Sequence, residues 1–401
     1  MTMSSKRDVT VYLDAADLSR FGDVIRRKGE KGVPEIFERL ISLRETGHVR
    51  FGYSMSTLSE LFQYDERHPE TTMAKAEAIE RLCGDYAFIY LARLLAIQIQ
   101  SAAATEGLRQ PQPPVAVLER GYGWYPDISG ALVSFKDDLR SQLDSTIADR
   151  SRNRAERRKM KAHARKVDLA AGLQESIAEF AELWGLEETD VDLSMGALLR
   201  DEITPEIASK RLFSAVAQPT KFVHAYFVQH DGPKDLPAFM TEPGRRLQAT
   251  FLKVRSDLST VPLLHASEKR WFRERVREMA RDSANLLFNH VEHDGENLGL
   301  TQDLVELFKN DEALARRLPS WDVFARILEP FILQNMGLQG GGHQPERSAA
   351  GDLIHALYLP FTDIWRGDRR FGHLLKQALP EHRRRIVTSL RELPGAIEDR
   401  L

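Results

Sequence analysis

Apolar residues near the start of the chain are grouped in short continuous runs, the pattern typical of buried parallel strands. Val9–Leu13 is one such run, and it stops at Asp14. His48–Tyr53 is a second. Between them, residues 33–45 carry apolar side chains at helical spacing, with Pro34 in the first turn. The order strand, helix, strand predicts a parallel sheet with right-handed crossovers.

The same pattern returns at the end of the chain. We expect a helix from near Ser348 that carries Asp352, then an apolar strand over residues 361–365. A loop with Asp368 follows, and residues 385–390 form a closing strand. Upstream, Ser54 or Ser56 can cap a helix that carries Glu60 just after the second strand.

The middle of the chain is predicted to be helical. Gln110–Pro114 cannot continue a helix and marks a boundary, and Leu338–Pro345 is a flexible return. Helical spacing covers residues 130–147, 168–186, 205–216, 269–292, 301–318 and 321–335. The predicted fold is therefore an α/β domain, a parallel sheet flanked by helices, in two parts (1–105 and 343–401) separated by an all-helical insertion (106–342).

Composition narrows the class of protein. The chain has 401 residues, 42% of them hydrophobic and 29% charged, values typical of a globular protein with a sizeable core. Its single cysteine, Cys83, excludes a disulfide framework and suits a reducing compartment. We see no signal peptide and no apolar run long enough for a membrane helix, so we expect a cytoplasmic protein. The net charge of −3 does not favour nucleic-acid binding by the chain as a whole, so any such binding must come from local basic patches.

Four acids are predicted to lie at one edge of the sheet. Asp14, Glu60, Asp352 and Asp368 each follow a predicted strand or open the helix after one. Like charges held this close need cations between them, and carboxylate oxygens select Mg²⁺ or Mn²⁺. Two such ions could hold a phosphodiester, activate a water and stabilise the leaving oxygen.

The segments around these acids resemble the PIN-domain nucleases. The resembling segments are Val11–Asp14, Ser54–Leu61, Gly351–Ala356 and Phe361–Phe371. The resemblance covers about residues 7–100 and 345–401, and no single motif in it is specific. It implies a PIN-like sheet and metal-dependent cleavage of RNA, or less often DNA, by an activated water. Asp14 and Asp352 would be the principal ligands, with Glu60 and Asp368 on a second ion or on the water.

The chain departs from the PIN pattern at two positions. The family usually has a small hydroxyl or amide residue two positions after the first acid, where this chain has Ala16. A Thr or Ser is common two positions before the fourth acid, where this chain has Arg366. These departures favour an alternative, a catalytically degenerate PIN-like scaffold that binds RNA or a protein partner. Asp363 could also take the place of Asp368.

Each of the four acids also allows a purely structural explanation. An Asp at a strand end often caps the next helix, and Glu60 could be a solvated first-turn acid that the helix dipole stabilises. His355, one turn after Asp352, could orient a water or a phosphate, although we favour a hydrogen-bonded, partly buried histidine.

A basic run lies in the predicted insertion. Residues 150–166 hold nine Lys or Arg against one Glu, and we expect Arg154, Arg157, Arg158 and Lys161 to contact RNA. The alternatives are a solvated basic helix or a contact for an acidic protein. Two further possibilities are an inhibitory protein partner and a homo-oligomer of this chain.

Two histidine pairs allow a third hypothesis. His230-Asp231 and His293-Asp294, with His290 nearby, could serve a histidine-based phosphohydrolase in the insertion. Each pair is followed by Gly, at positions 232 and 295, so we favour ordinary helix ends.

Overall fold

The computed structural model describes residues 8–62, 68–121, 123–124, 128–150, 153–155, 158–159, 177–178, 181–182, 186–224, 266–294, 299–335 and 349–401. The chain forms two compact units. One comprises Met1–Trp124 and Pro233–Leu401, and the other comprises Tyr125–Gly232. The second unit is shorter than the predicted insertion at 106–342, and that predicted division stays a prediction.

A parallel sheet organises the larger unit. Within the described residues it has four strands, which are β1 Val9–Tyr12, β2 Val49–Gly52, β5 Ile364–Arg366 and β6 Ile386–Val387. The spatial order is β2-β1-β5-β6, and each neighbouring pair is parallel. The central pair therefore joins the two ends of the sequence, as the apolar runs predict. An α/β fold with a parallel sheet is confirmed.

A second, antiparallel pair of strands was not expected. It consists of β3 Tyr86–Phe88 and β4 Leu118–Arg120. Both strands have three residues, too few for a periodicity signal.

Helices connect and cover the strands of the larger unit. They are α1 Ala15–Ile25, α2 Val33–Glu45, α3 Met55–Leu61, α4 Pro69–Cys83 and α5 Leu91–Thr105 in the first part of the chain. The helix α2 has the predicted bounds, and Ser54 caps α3 in a capping box with Thr57. The helix α1 was not predicted; it begins directly after Asp14, which caps it.

The smaller unit is helical in its described residues. Its helices are α6 Ser129–Arg150, α7 Glu188–Val191, a π-helical turn Asp192–Gly196, α8 Ala197–Leu199, α9 Pro205–Val216 and α10 Pro219–Val223. Leu132, Val191, Leu198 and Ala208 belong to its core. The predicted helix 168–186 lies largely outside the described residues.

The helices after residue 265 belong to the larger unit. They are α11 Ala266–Asp294, α12 Gln302–Asn310, α13 Glu312–Ala315, α14 Pro319–Asn335, α15 Ala349–His355, α16 Arg369–Ala378 and α17 Leu393–Glu398. Ala284 of α11 and Ile327 of α14 share one core with Leu95 of α5. This shared core explains why they form one unit with the sheet.

Several predicted elements have different bounds. The predicted closing strand 385–390 is reduced to Ile386–Val387, because a 3₁₀ helix begins at Leu390. The predicted strand 361–365 starts later, at Ile364, because Ala356–Phe361 is a 3₁₀ helix that contains Pro360. The predicted helix 301–318 is two helices, since Asp311 ends one and accepts hydrogen bonds from the first N–H groups of the next. Among the described helices, none combines the length and the apolar composition that a membrane crossing requires.

Candidate functional site

Asp14 and Asp368 follow neighbouring parallel strands at the carboxyl edge of the sheet. Each is the N-cap of a helix that begins there. The Asp14 Oδ1 atom accepts a hydrogen bond from the Ala16 N–H at 3.0 Å. The Asp368 Oδ1 atom accepts from the Arg370 and Phe371 N–H groups at 2.5 and 3.0 Å. The capping role expected of a strand-end aspartate is thus observed, and it fixes both carboxylates at this edge.

Asp363 lies at the opposite end of β5. It precedes the strand, and its Oδ2 atom accepts a hydrogen bond from the Thr10 N–H, near the start of β1, at 3.0 Å. The interpretation of Asp363 as a substitute for Asp368 is therefore wrong, because the two residues flank the strand at different ends.

Glu60 and Asp352 belong to helices that pack against each other. Glu60 is in α3, Asp352 is in α15, and the Glu60 carboxylate lies directly against Gly351. A Cβ atom at position 351 would lie 1.7 Å from the Glu60 Oε1 atom. A larger residue at position 351 would displace the Glu60 carboxylate from this position beside Asp352.

The electrostatics of Asp352 connect all four acids. Burial raises the pKa of its carboxyl well above the ordinary value of 3.8, and the charges of Asp368, Asp14 and Glu60 raise the pKa further, while His355 lowers it. Burial is the main cause that raises the pKa of Asp14, and Glu60 raises it as well. His355, the hydrogen bond from the Ala16 N–H and Arg366 lower it. The structure therefore brings together carboxylates from both ends of the chain.

His355 extends this cluster into the core. Its Nε2 atom is 3.3 Å from the Glu60 Oε2 atom, and its Nδ1 atom is 2.5 Å from the Tyr12 hydroxyl. That hydroxyl is in turn 2.7 Å from Ser54 Oγ. Burial lowers the pKa of His355, but Tyr12 and Glu60 together raise it well above 6.5. His355 is thus the buried, hydrogen-bonded histidine that we favoured, and it lies between Tyr12 and Glu60.

A buried ion pair adjoins the acids and was not predicted. Arg366 and Asp17 are 5% and 0% exposed, with 3.0 Å between Nε and Oδ2 and 3.1 Å between Nη2 and Oδ1. The pKa of Asp17 is raised to about 6, chiefly by burial. Asp14 also raises this pKa, whereas Arg366 and Arg20 lower it. Asp17 lies one helical turn after Asp14, and this spacing is a signal that could have identified it.

A cavity of about 720 Å³ opens at this edge of the sheet. Asp14, Asp17, Arg366 and Asp368 line it, together with Ser389. Glu60 and Asp352 are not among its lining residues, so the cavity reaches the cluster from the side of Asp14 and Asp368.

The carboxylate oxygens of the four acids are suitable ligands for a divalent ion, but their spacing in this structure is not. Asp352 and the three carboxylates that raise its pKa are a set of oxygen ligands whose mutual repulsion a cation would relieve. In the described part of the chain, however, no three His, Cys, Asp or Glu side chains are grouped closely enough to hold a metal ion. Glu60 contacts His355 instead. An ion would have to draw the carboxylates together.

The basic run and the histidine pairs are only partly described. Arg154 and Arg158 are exposed, whereas Arg157 and Lys161 lie outside the described residues. His230-Asp231 also lies outside them. The helix α11 includes His290, His293 and Asp294, and Gly295 lies outside the described residues.

Comparison with known proteins gives no match. No protein-family model, no curated protein and no solved structure is similar to this chain.

Proposed function

We propose that this chain is a metal-dependent endoribonuclease of PIN type that hydrolyses phosphodiester bonds of RNA. The observation that carries the proposal is the electrostatic coupling of Asp352 to Asp14, Glu60 and Asp368. These acids come from sequence positions up to 354 residues apart, from Asp14 to Asp368. Helix capping explains Asp14 and Asp368, but it explains neither Glu60 nor Asp352.

The roles follow from position. Asp14 and Asp352, whose carboxyl groups are both held with raised pKa values, would hold the principal Mg²⁺ or Mn²⁺ ion. Glu60 and Asp368 would hold a second ion or orient the attacking water. Bound ions of this kind activate a water and stabilise the leaving oxygen. His355 would hold Glu60 in place through its Nε2 contact.

The alternative is a degenerate PIN-like scaffold that binds RNA or a protein partner. Arg366 supports it, because its buried guanidinium already supplies a cation near Asp14 and lowers the pKa of that residue. Ala16 supports it as well, since it offers no side-chain oxygen to a metal or a water.

A cleavage assay separates the two functions. We expect the purified chain to cut single-stranded RNA with Mn²⁺ or Mg²⁺, and Asp14→Asn to lower the rate by a factor of about 100 or more, because the variant lacks a ligand charge. Asp363→Asn is the matched control, an identical change at the other end of β5, and should cut at the normal rate. Equal cleavage in EDTA, or by Asp14→Asn, would overturn the nuclease proposal. No cleavage with intact RNA binding would favour the scaffold.

A further inference from the structure

The cavity beside the acids has a wall rich in groups that bind anions. Arg366, Arg369 and Arg391 line it, as do the hydroxyl-bearing residues Thr388 and Ser389. Arg369 and Arg391 are exposed, and in the described part of the chain no carboxylate forms an ion pair with either. Their charges are therefore available to a ligand.

Arg366 has two buried donors without an acceptor. Its Nη2 atom donates to the Asp17 Oδ1 atom at 3.1 Å, and its Nε atom lies 3.0 Å from Asp17 Oδ2 without forming a hydrogen bond. The Nε and Nη1 atoms are both buried, and no described residue accepts a hydrogen bond from either. A buried donor of this kind costs free energy unless a partner reaches it. Since Arg366 lies in the cavity wall, the partner can come from a ligand there.

The start of the helix α2 adds a second feature. Gly32 precedes it and provides no side-chain cap. The Val33 N–H donates to the Glu30 carbonyl and Pro34 has no N–H, so this helix end offers a ligand the helix dipole rather than a row of free N–H groups. Gly32 and Val33 both line the cavity. The positive end of the α2 dipole thus faces the same space.

Among the described residues, five acids line the cavity, as many as its lysines and arginines, but three of these acids have partners within the fold. Asp17 is paired with Arg366, and Asp14 and Asp368 accept hydrogen bonds from the helices that they cap. Glu30 and Glu392 also line the cavity, but both are exposed to solvent. The buried donors and the unpaired arginines favour an anion with several oxygens, and the volume is in the range of small-ligand pockets.

We propose that this cavity is a phosphate-binding subsite, in which Arg366, Arg369 and Arg391 hold a phosphate group of a polynucleotide next to the acid cluster. The assignment to a polynucleotide rests on the proposed nuclease function, whereas the affinity for phosphate does not. A phosphate held here would fix the register of the strand, so that a neighbouring phosphodiester bond meets Asp14 and Asp368.

The first experiment uses inorganic phosphate on the full chain in EDTA, followed by isothermal titration calorimetry. We expect saturable binding that becomes about tenfold weaker in Arg391→Gln and in Arg369→Gln, because each variant loses a charge-assisted hydrogen bond. Arg383→Gln is the matched control, since Arg383 is exposed and does not line the cavity. Absence of binding, or equal binding by all three variants, would overturn the subsite.

The second experiment identifies the source of the phosphate. Tetrauridylate with and without a 5′-phosphate competes with inorganic phosphate, again in EDTA. Competition by the phosphorylated form alone assigns the subsite to a terminal phosphate, and equal competition assigns it to an internal one. Competition by neither contradicts the polynucleotide assignment. Because these titrations contain no divalent ion and measure no cleavage, they can succeed even if the nuclease proposal fails.

Discussion

Arg366 and Asp17 show how a single residue changes the chemistry at this site. Arg366 stands where the PIN resemblance leads one to expect Thr or Ser, and its guanidinium is buried against Asp17. The pKa of Asp17 is nevertheless raised to about 6, so burial outweighs the attraction of the arginine. Removal of either residue would therefore leave the other as an unpaired buried charge.

Removing the guanidinium should destabilise the fold. We expect Arg366→Met to lower the free energy of unfolding by about 3–5 kcal/mol at pH 7.5, because Asp17 is left as an unpaired buried charge. Denaturant unfolding measures it. The loss should shrink as the pH falls and Asp17 takes up a proton, which happens at a higher pH in the variant because Arg366 no longer lowers the Asp17 pKa. The double variant Asp17→Asn/Arg366→Met should recover part of the loss. Unchanged stability at pH 7.5 would show that the pair is not needed.

At the scale of elements, the packing of α3 against α15 decides where Glu60 points. Gly351 leaves the space that the Glu60 carboxylate occupies, and His355, one turn later on the same helix, contacts the other oxygen of that carboxylate. The helix α15 thus positions Glu60 from two sides while carrying Asp352 itself.

A side chain at position 351 should displace the Glu60 carboxylate. We expect Gly351→Ala to leave the free energy of unfolding, measured by denaturant unfolding, within about 1 kcal/mol of its native value, because the displaced Oε1 atom is the far end of a flexible side chain and alanine gains about 1 kcal/mol in helix propensity. Gly395→Ala is the control, because a Cβ atom there meets nothing within 4 Å in another helix, and it should be neutral or stabilising. Gly351→Ala should be more stabilising in the Glu60→Ala background, where no carboxylate has to move. An equal effect in both backgrounds would mean that the carboxylate does not lie where the structure has it.

Elements with strong local signals were predictable, and those set by distant contacts were not. The helix 33–45 and the strand β1 were predictable because spacing, Pro34 and an unbroken apolar run agree. The helix α1 was missed, although its Asp14 cap was considered, and β3 and β4 were too short to detect. The edge location of Asp14 and Asp368 could be inferred from strand ends, and Glu60 lies in the helix that follows β2, whereas Asp352 follows no described strand. The Asp17–Arg366 pair could not be inferred, because no sequence pattern indicates which buried arginine pairs with which acid.

At the scale of the whole molecule, the carboxyl edge of the sheet contains four titratable groups whose pKa values are raised. The pKa values of Asp14, Asp17 and Asp352 are all raised in the folded chain, chiefly by burial, and that of His355 is raised by Tyr12 and Glu60. In each case the folded state holds a proton more tightly than the unfolded state does. All four groups therefore act on stability in the same direction.

Stability should fall as the pH rises. For Asp17, the folded state binds more protons between pH 3.8 and about 6, so the free energy of unfolding decreases through that window and stays lower above it. His355 adds stability that is complete below pH 6.5 and is lost as the pH rises through its raised value. Thermal unfolding in EDTA from pH 4 to 9 measures both effects. A transition midpoint that rises over the same range would contradict the charge assignments.

The most direct measurement of the central claim is a crystal structure of the chain with Mn²⁺, in which anomalous scattering locates the ion. We predict an Mn²⁺ ion bound by carboxylate oxygens of Asp14 and Asp352, with Glu60 or Asp368 beside it and metal–oxygen distances of about 2.1 Å. Four carboxylates that stay apart in the presence of Mn²⁺, with the anomalous signal elsewhere or absent, would contradict it.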